Sequence, residues 1–303
     1  MQKDMLAIET HGLVKRYNGL TAVDHLDLSV HKGEIFGFLG PNGAGKTTTI
    51  RMLMDIIRPD EGTIEILGQP LQSQTLDRIG YLPEERGLYR KFKTAECLTY
   101  LAALKGMPRR TARERALALL EQVGLADFAQ KKVETLSRGM QQKAQFVATL
   151  VHDPELLILD EPFQGLDPLN TELLKQMVLD LQKEGKTIIF STHQMNQVEA
   201  LCDRILLIDH GRSLLYGPLQ DIKEQYAPHA VRFRGNPLPA DPPGVRRLEQ
   251  QGDSTLAFLA DGVTPPTFLR RLLETGSEIT HFEVVTPPLG DIFIEVVGKG
   301  ERS

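Results

Sequence analysis

The chain has 303 residues, 41% apolar and 25% charged, with a formal net charge of −5. That length supports a sizeable core in one large domain plus a small one, or in two medium ones. The acidic balance excludes a global basic footprint for nucleic acid or an anionic membrane. Cys97 and Cys202 are far apart and outside any metal spacing, so no disulfide framework is expected and a reducing cytosolic compartment fits. "MQKDMLAIETHGLV" lacks an apolar core of signal-peptide length, and no apolar run approaches the roughly 18 residues of a membrane span. Work at a membrane would need a partner that supplies the spanning helices.

In chain order, "AIETHGLVKRY" and "TAVDHLDLSV" alternate apolar and polar residues and predict half-exposed strands around a turn at "NGL". "EIFGFLG" is a short, nearly continuous apolar run, the pattern of a strand buried on both faces. A glycine-rich turn follows, then helical spacing in "KTTTIRMLMDII", broken by Pro59 and Gly62, and a strand-like "TIEILG". From about Glu84 to Leu150 the character is helical, with 3.6-residue periodicity in "TAECLTYLAAL" and "TARERALALLEQVGL". The basic run "PRRTARER" is expected to be a solvated helix face. "ELLILDEP", "NTELLKQMVLDLQKEG" and "KTIIFSTH" form a strand–helix–strand unit that predicts a parallel sheet. "RILLIDHGRSLLYG" reads as a hairpin. Beyond about residue 220 the texture shifts to a Pro/Gly-rich loop, "RGNPLPADPPG", among short strands ("AVRFRG", "TLAFLA", "ITHFEVV") and one helix ("PPTFLRRLLETG"). The domains expected are thus 1–220, with a helical part at about 85–150, and a small α+β domain at 221–303.

Three stretches carry chemistry. "GPNGAGKTT" comprises Gly40, Pro41, Asn42, Gly43, Ala44, Gly45, Lys46, Thr47 and Thr48, and matches G-x-x-x-x-G-K-[ST] between a buried strand and a helix. Glycines let successive backbone N–H groups curl toward an anion, and the helix N-terminus adds its dipole. Lys46 is placed to reach the β- and γ-phosphates of a nucleotide, and the Thr47 hydroxyl to ligate Mg²⁺. "LLILDEP" ends a buried strand in two carboxylates, which need partners there. Asp160 is expected to hold Mg²⁺ through a water, and Glu161 to polarise an attacking water as general base. His193 closes "IIFSTH" at a strand end, where α/β sheets gather their ligands, and is expected to face the γ-phosphate.

Together these residues resemble the nucleotide-binding subunits of ABC transporters over roughly residues 6–220. The resemblance makes residues 40–48 a Walker A loop and "LLILDEP" a Walker B strand. It makes "LSRGMQQ" (residues 136–142) the signature, "GLDP" (residues 165–168) the D-loop and His193 the switch histidine. It implies a P-loop NTPase α/β core with a mainly parallel sheet, antiparallel N-terminal strands and a helical subdomain. Tyr17 falls where the family stacks an aromatic on adenine. "LSRGMQQ" holds no carboxylate, histidine or cysteine. In the family, two subunits pack head to tail and each signature caps the ATP of the other. Ser137, Gly139, Gln141 and Asp167 are therefore expected to act in trans, Ser137 and the Gly139 backbone as donors to the γ-phosphate beside a helix starting near Arg138. Ser137 is also a plain helix N-cap, and that cap is what aims the donors.

Two departures from the family pattern stand out. Glu84 in "IGYLPEERGLY" replaces the usual Gln that ligates Mg²⁺ and couples to the membrane subunit. Its carboxylate is a good hard ligand and adds negative charge. The signature has Arg138-Gly139-Met140 where Gly-Gly-Gln is commoner, yet keeps Ser137 and Gly139. Residues 85–92, with "GLYRKF", would either face the membrane partner or form a solvated loop. "PPLGDIFIEVVG" (residues 287–298) resembles the closing helix of C-terminal extensions on type 2 exporter ATPases, including sodium and antibiotic efflux systems. That appendage is either a packing module that extends a dimer contact or a regulatory element.

The resemblance implies an ATPase with ATP and Mg²⁺. It would form a homodimer or heterodimer on the cytoplasmic face of the cell membrane, held there by a separately encoded permease, and would work as an exporter. Nucleic acid is not an expected partner, because the coiled-coil insertions and second cassette of such relatives are absent. A switch that barely hydrolyses ATP is opposed by Glu161 and His193.

Overall fold

Alternating apolar residues set the first two strands, β1 (Leu6–Tyr17) and β2 (Leu20–His31), which pair antiparallel. Asn18 and Gly19 join them, both at positive φ (45° and 85°), as the tight hairpin turn requires. The structure is a computed structural model that describes residues 6–85, 87–226, 230–236, 242 and 244–300. Arg86 of the proposed membrane-facing segment and most of the Pro/Gly-rich loop expected at residues 234–244 lie outside that set.

β3 (Ile35–Leu39) is buried at all five positions, as its apolar run predicts. It feeds the glycine-rich loop and α1 (Lys46–Leu53). This helix ends earlier than the apolar spacing suggests. Ile56 N–H bonds back to Arg51 O (2.9 Å) and Asp55 N–H to Met52 O (3.1 Å). Those bonds close a Schellman motif, and the left-handed residue in it is Asp55 (φ 52°), where glycine would have signalled the stop. β4 (Glu61–Ile66) returns antiparallel beside β1, with β5 (Gln69–Pro70) after it, so the antiparallel strands form a sheet of their own, ordered β2-β1-β4-β5.

A single turn, α2 (Ser73–Leu76), leads to β6 (Ile79–Leu82). The helical region follows as α3 (Thr94–Leu104), α4 (Arg109–Gln122) and α5 (Arg138–Leu150), which pack on one another. Arg109, Arg110 and Arg113 are exposed on α4, and Arg115 turns in to donate to Val151 O (3.0 Å), so the basic run is largely a solvated face. β7 (Leu156–Asp160), α6 (Pro168–Lys183) and β8 (Thr187–Thr192) form the expected strand–helix–strand unit with parallel strands. α7 (Met195–Leu201), β9 (Arg204–Asp209) and β10 (Arg212–Pro218) complete the second sheet, ordered β10-β9-β3-β8-β7-β6. Ile8, Leu28, Phe38, Ile50, Ile158 and Leu206 belong to the continuous core that joins the two sheets through α1.

Met1–Tyr216 forms one compact unit and Gly217–Ser303 another. The second contains α8 (Leu219–Tyr226), β11 (Ala230–Asn236), β12 (Val245–Gln251), β13 (Ser254–Leu259), α9 (Pro265–Glu274), β14 (Glu278–Val284) and α10 (Leu289–Gly300). Its sheet is antiparallel, ordered β12-β13-β11-β14, with Phe268 and Leu272 of α9 packed on Val231, Phe233 and Leu259. β12 escaped the sequence reading because only Val245 and Leu248 are apolar in "VRRLEQQ". Among the described residues, no helix is long and apolar enough to cross a membrane.

Candidate functional site

Strand register builds the site. In the parallel sheet Leu39 lies level with Thr192, Asp160 with Ser191, and Leu82 with Leu159. The carboxyl ends of β3, β6, β7 and β8 therefore open at one edge, and each is followed by a polar segment. Such an edge is where open α/β sheets bind ligands. A cavity of about 310 Å³ lies there, lined by Ala22, Asn42, Gly43, Gly45, Lys46, Thr47, Thr48, Glu84, Asp160, Glu161, Gln164 and His193.

The loop from β3 to α1 is held tightly against the fold. A Cβ on Gly40 (φ 154°) would lie 2.2 Å from Ile208 O, and one on Gly45 (φ 108°) 2.4 Å from Ala22 O. Only glycine allows this approach of backbone to backbone. α1 begins at Lys46 with no side chain among those described capping it, so its first amides face the cavity as donors. Lys46 Nζ donates to Gly40 O (2.6 Å) and Pro41 O (3.0 Å) of its own loop. Burial holds its ammonium below the usual lysine range, while Glu161, Asp160 and Glu84 pull it back up.

Opposite the loop stand the carboxylates. Asp160 is 2% exposed, and its Oδ2 is buried with no hydrogen-bond partner among the described residues. Burial pushes its carboxyl up to about 6, against the Ser191 hydroxyl beside it; Glu84 and Glu161 push the same way as burial, and Lys46 opposes them. The same negative field reaches Tyr81, whose phenol is pushed up to about 12 by burial first and Asp160 second. Glu161 sits at φ 48°, a strained position for a residue with a Cβ. Its carboxylate accepts from Thr192 Oγ1 (3.0 Å), His193 N–H (3.0 Å) and His193 Nδ1 (2.6 Å). The orphaned Asp160 oxygen, the Thr47 hydroxyl and exposed Glu84 suit a hard divalent cation. Among the described residues, no three His, Cys, Asp or Glu side chains cluster closely enough to hold a metal alone. Mg²⁺ at such sites usually takes one or two carboxylates and completes its shell with phosphate oxygens and water.

Other expected site residues stand apart from this cavity. Tyr17 is 43% exposed at the end of β1, with Lys15 Nζ 5.6 Å from its ring centroid. Ser137 caps α5, accepting from Met140 N–H (3.3 Å). A Cβ on Gly139 would lie 3.6 Å from Leu166 Cδ2, so the "LSRGMQQ" turn adjoins the "GLDP" segment of the same chain. Gln141 Nε2 donates to Leu136 O (3.0 Å) and Val133 O (3.3 Å). Asp167 caps α6 through Asn170 N–H (2.9 Å). Ala22 and Gln164 line the cavity unforeseen. Ala22 carries no chemistry to flag it, and the only signal for Gln164 was its place three residues after Glu161.

Residues 23–164 match the ABC transporter family, and residues 217–297 match the C-terminal domain of DrrA1-3-like ATP-binding proteins. The chain is 41% identical over 290 residues to the ABC transporter ATP-binding protein YhaQ of Bacillus subtilis, covering 94% of this chain and 97% of that one. It is 34% identical over 305 residues to the daunorubicin/doxorubicin resistance ATP-binding protein DrrA of Streptomyces peucetius, covering 96% and 92%. A solved ATP-binding subunit of an ABC transporter superposes with a TM-score of 0.68 at 31% identity, over 73% of this chain and 93% of that one. The phosphate-loop geometry, the carboxylates facing it and these likenesses agree: the chain belongs to the ATP-hydrolysing, ATP-binding subunits of the ABC transporter family, and it carries the C-terminal domain of the DrrA-like members.

Proposed function

We propose that this subunit drives export through a separately encoded permease, working as a dimer that binds two ATP molecules head to tail at its interface. Export is supported by likeness to the Nod factor export ATP-binding proteins, 35% identical over 304 residues in Ralstonia nicotianae, and fits likeness to the drug-resistance protein DrrA. The observation that carries the dimer is the separation of two halves of one ATP site. The loop, Glu84, Asp160, Glu161 and His193 share one cavity, whereas Ser137 and Gly139 stand beside Gly165 and Leu166. A second copy, turned head to tail, supplies the missing donors, with Gln141 and Asp167 at the same seam. Docking to the permease is supported by an exposed aromatic group in the helical region: Tyr89 lies 5.3 Å from Phe92 and 5.7 Å from Tyr100.

In this reading the loop amides and Lys46 bind the triphosphate, Lys46 exchanging its own loop carbonyls for phosphate oxygens. Tyr17 stacks on the base. Thr47, Asp160 and Glu84 would hold Mg²⁺, which would neutralise phosphate charge. Glu161 takes a proton from the attacking water as the water oxygen bonds to the γ-phosphorus and the bond to the oxygen bridging to the β-phosphate breaks, leaving ADP and phosphate; His193 keeps Glu161 oriented and turns to the γ-phosphate when nucleotide fills the site. Ser137 and Gly139 of the second copy donate to the transferring phosphoryl group. The test is the molar mass of Glu161→Gln by light scattering, with and without Mg-ATP. Monomer turning to dimer only with ATP is the expected result. A monomer under both conditions overturns the self-sufficient homodimer and leaves closure to a different partner cassette or the permease.

A further inference from the structure

Glu84 is exposed, and its side chain could sweep a wide arc, so a fixed position over the cavity has to come from its backbone. The backbone is fixed from an unexpected direction. Gln145, in the middle of α5 and 4% exposed, sends its amide nitrogen to Pro83 O (3.3 Å) and Glu85 O (3.1 Å), the carbonyls on either side of Glu84. Gln142, one helical turn earlier on the same face and 6% exposed, donates to Pro162 O (2.9 Å), next to Glu161. Two buried amides of one helix thus hold the two loops that present the carboxylates. The first turn of that helix carries Gly139 and is capped by Ser137. A buried glutamine of this kind is costly unless its bonds are made, which makes the contact a fixed strut rather than a passing one.

We infer that Gln145 is a positioning residue for Glu84: its forked bond clamps the peptides on both sides of Glu84 to the signature helix, so that metal binding and the placement of that helix are coupled. The inference rests on the reading of Glu84 as a metal ligand. Gln145→Met keeps the length of the side chain and removes the donor. The clamp acts on the metal and not on the phosphate loop, so metal-free ATP binding should stay unchanged.

The experiment uses the full chain in the Glu161→Gln background, so that ATP is not consumed, with Mn²⁺ as the probe and free Mn²⁺ read by electron paramagnetic resonance in the presence of ATP. Gln145→Met is expected to weaken Mn²⁺ binding about tenfold, the usual cost of losing a support behind a metal ligand. Glu84→Ala should weaken it as well, and the double variant should lose little more than Glu84→Ala alone, because the two act through one ligand. Unchanged Mn²⁺ affinity in Gln145→Met, or losses that add in the double variant, overturns the inference. If Glu84→Ala itself leaves Mn²⁺ binding unchanged, the metal-ligand reading falls and takes the inference with it. If Glu84→Ala weakens binding and Gln145→Met does not, the inference alone falls. Thermal melting checks that each variant is folded, and Gln145→Asn, which keeps the amide but lacks the reach, replaces Met where Met is not tolerated.

Discussion

His193 Nδ1 donates to Glu161 Oε1 across 2.6 Å, and the His193 amide donates to the same oxygen at 3.0 Å. With the carboxylate as acceptor, Nδ1 is the donating ring nitrogen and Nε2 is left for another partner. The pair joins the ends of β7 and β8 and, with Thr192, holds Glu161 in its left-handed backbone conformation. Glu161 is thereby oriented but occupied. In the proposed mechanism, entry of a water and a γ-phosphate requires His193 to share or release it.

This relationship separates two variants. Glu161→Gln removes the proposed base and keeps the shape, so ATP binding should persist while phosphate release falls by at least about 100-fold. His193→Ala removes one bond and leaves Thr192 and the backbone amide in place. Its turnover should fall while ATP affinity stays within about threefold, since the loop amides and Lys46, the main triphosphate contacts in this reading, are left in place. Phosphate release and equilibrium nucleotide binding, measured side by side, check both. Wild-type turnover in Glu161→Gln would remove Glu161 from the role of base.

Asp160 makes the nucleotide-free protein depend on pH. Its folded pKa of about 6 lies above the ordinary 3.8, so between those values the folded chain holds a proton that the unfolded chain has lost. Stability from this group therefore falls as pH rises through that window, and the full penalty applies above it. Asp160→Asn should be more stable than wild type at pH 8, by on the order of 1–3 kcal/mol, with the gap closing toward pH 4. Urea unfolding across pH, without nucleotide, measures it. A gap that does not change with pH would rule out burial of the charge as its source.

Ser137 separates capping from phosphate contact. Ser137→Ala loses the bond from Met140 N–H and should cost about 1 kcal/mol. Ser137→Asp retains a cap and suits the helix dipole, so the melting temperature should hold. In the proposed dimer it also turns a negative charge toward the nucleotide of the second copy, and turnover should drop by at least about 100-fold. Normal turnover in a stable Asp variant would place Ser137 outside the composite site.

Gly40→Ala tests the packing of the phosphate loop. The added methyl would meet Ile208 O at 2.2 Å, and that carbonyl belongs to the buried strand β9 rather than to a movable side chain. A loss of about 3 kcal/mol or more is expected, with ATP binding lost alongside. Chemical denaturation and a nucleotide titration report the two effects. A near-neutral result would mean that the loop can retreat from β9.

Local chemistry explains what could be read without coordinates. The phosphate loop and the Asp160-Glu161 pair are each contiguous and point to their chemistry through residue types that would be wasteful elsewhere, whereas the "LSRGMQQ" turn was legible only through the family resemblance. β3, β7 and β8 announce themselves because a strand buried on both faces has no room for polar residues. The stop of α1 stayed hidden because Asp55 does the work usually done by glycine, and β12 because its exposed face is charged.

The sequence by itself determined which groups could bind phosphate, donate or accept a proton, and ligate a hard cation. The tertiary structure alone decided which of them meet. Parallel register brings Leu39, Leu82, Asp160 and Thr192 to one edge, and only then do Glu84 and His193 face Lys46. Lys46 resting on Gly40 O, and Gln142 and Gln145 reaching into two separate loops, left no local signature. A hydrogen bond between residues about 60 positions apart depends on where the intervening helices pack, and that follows from burying the whole core rather than from any short run of residues.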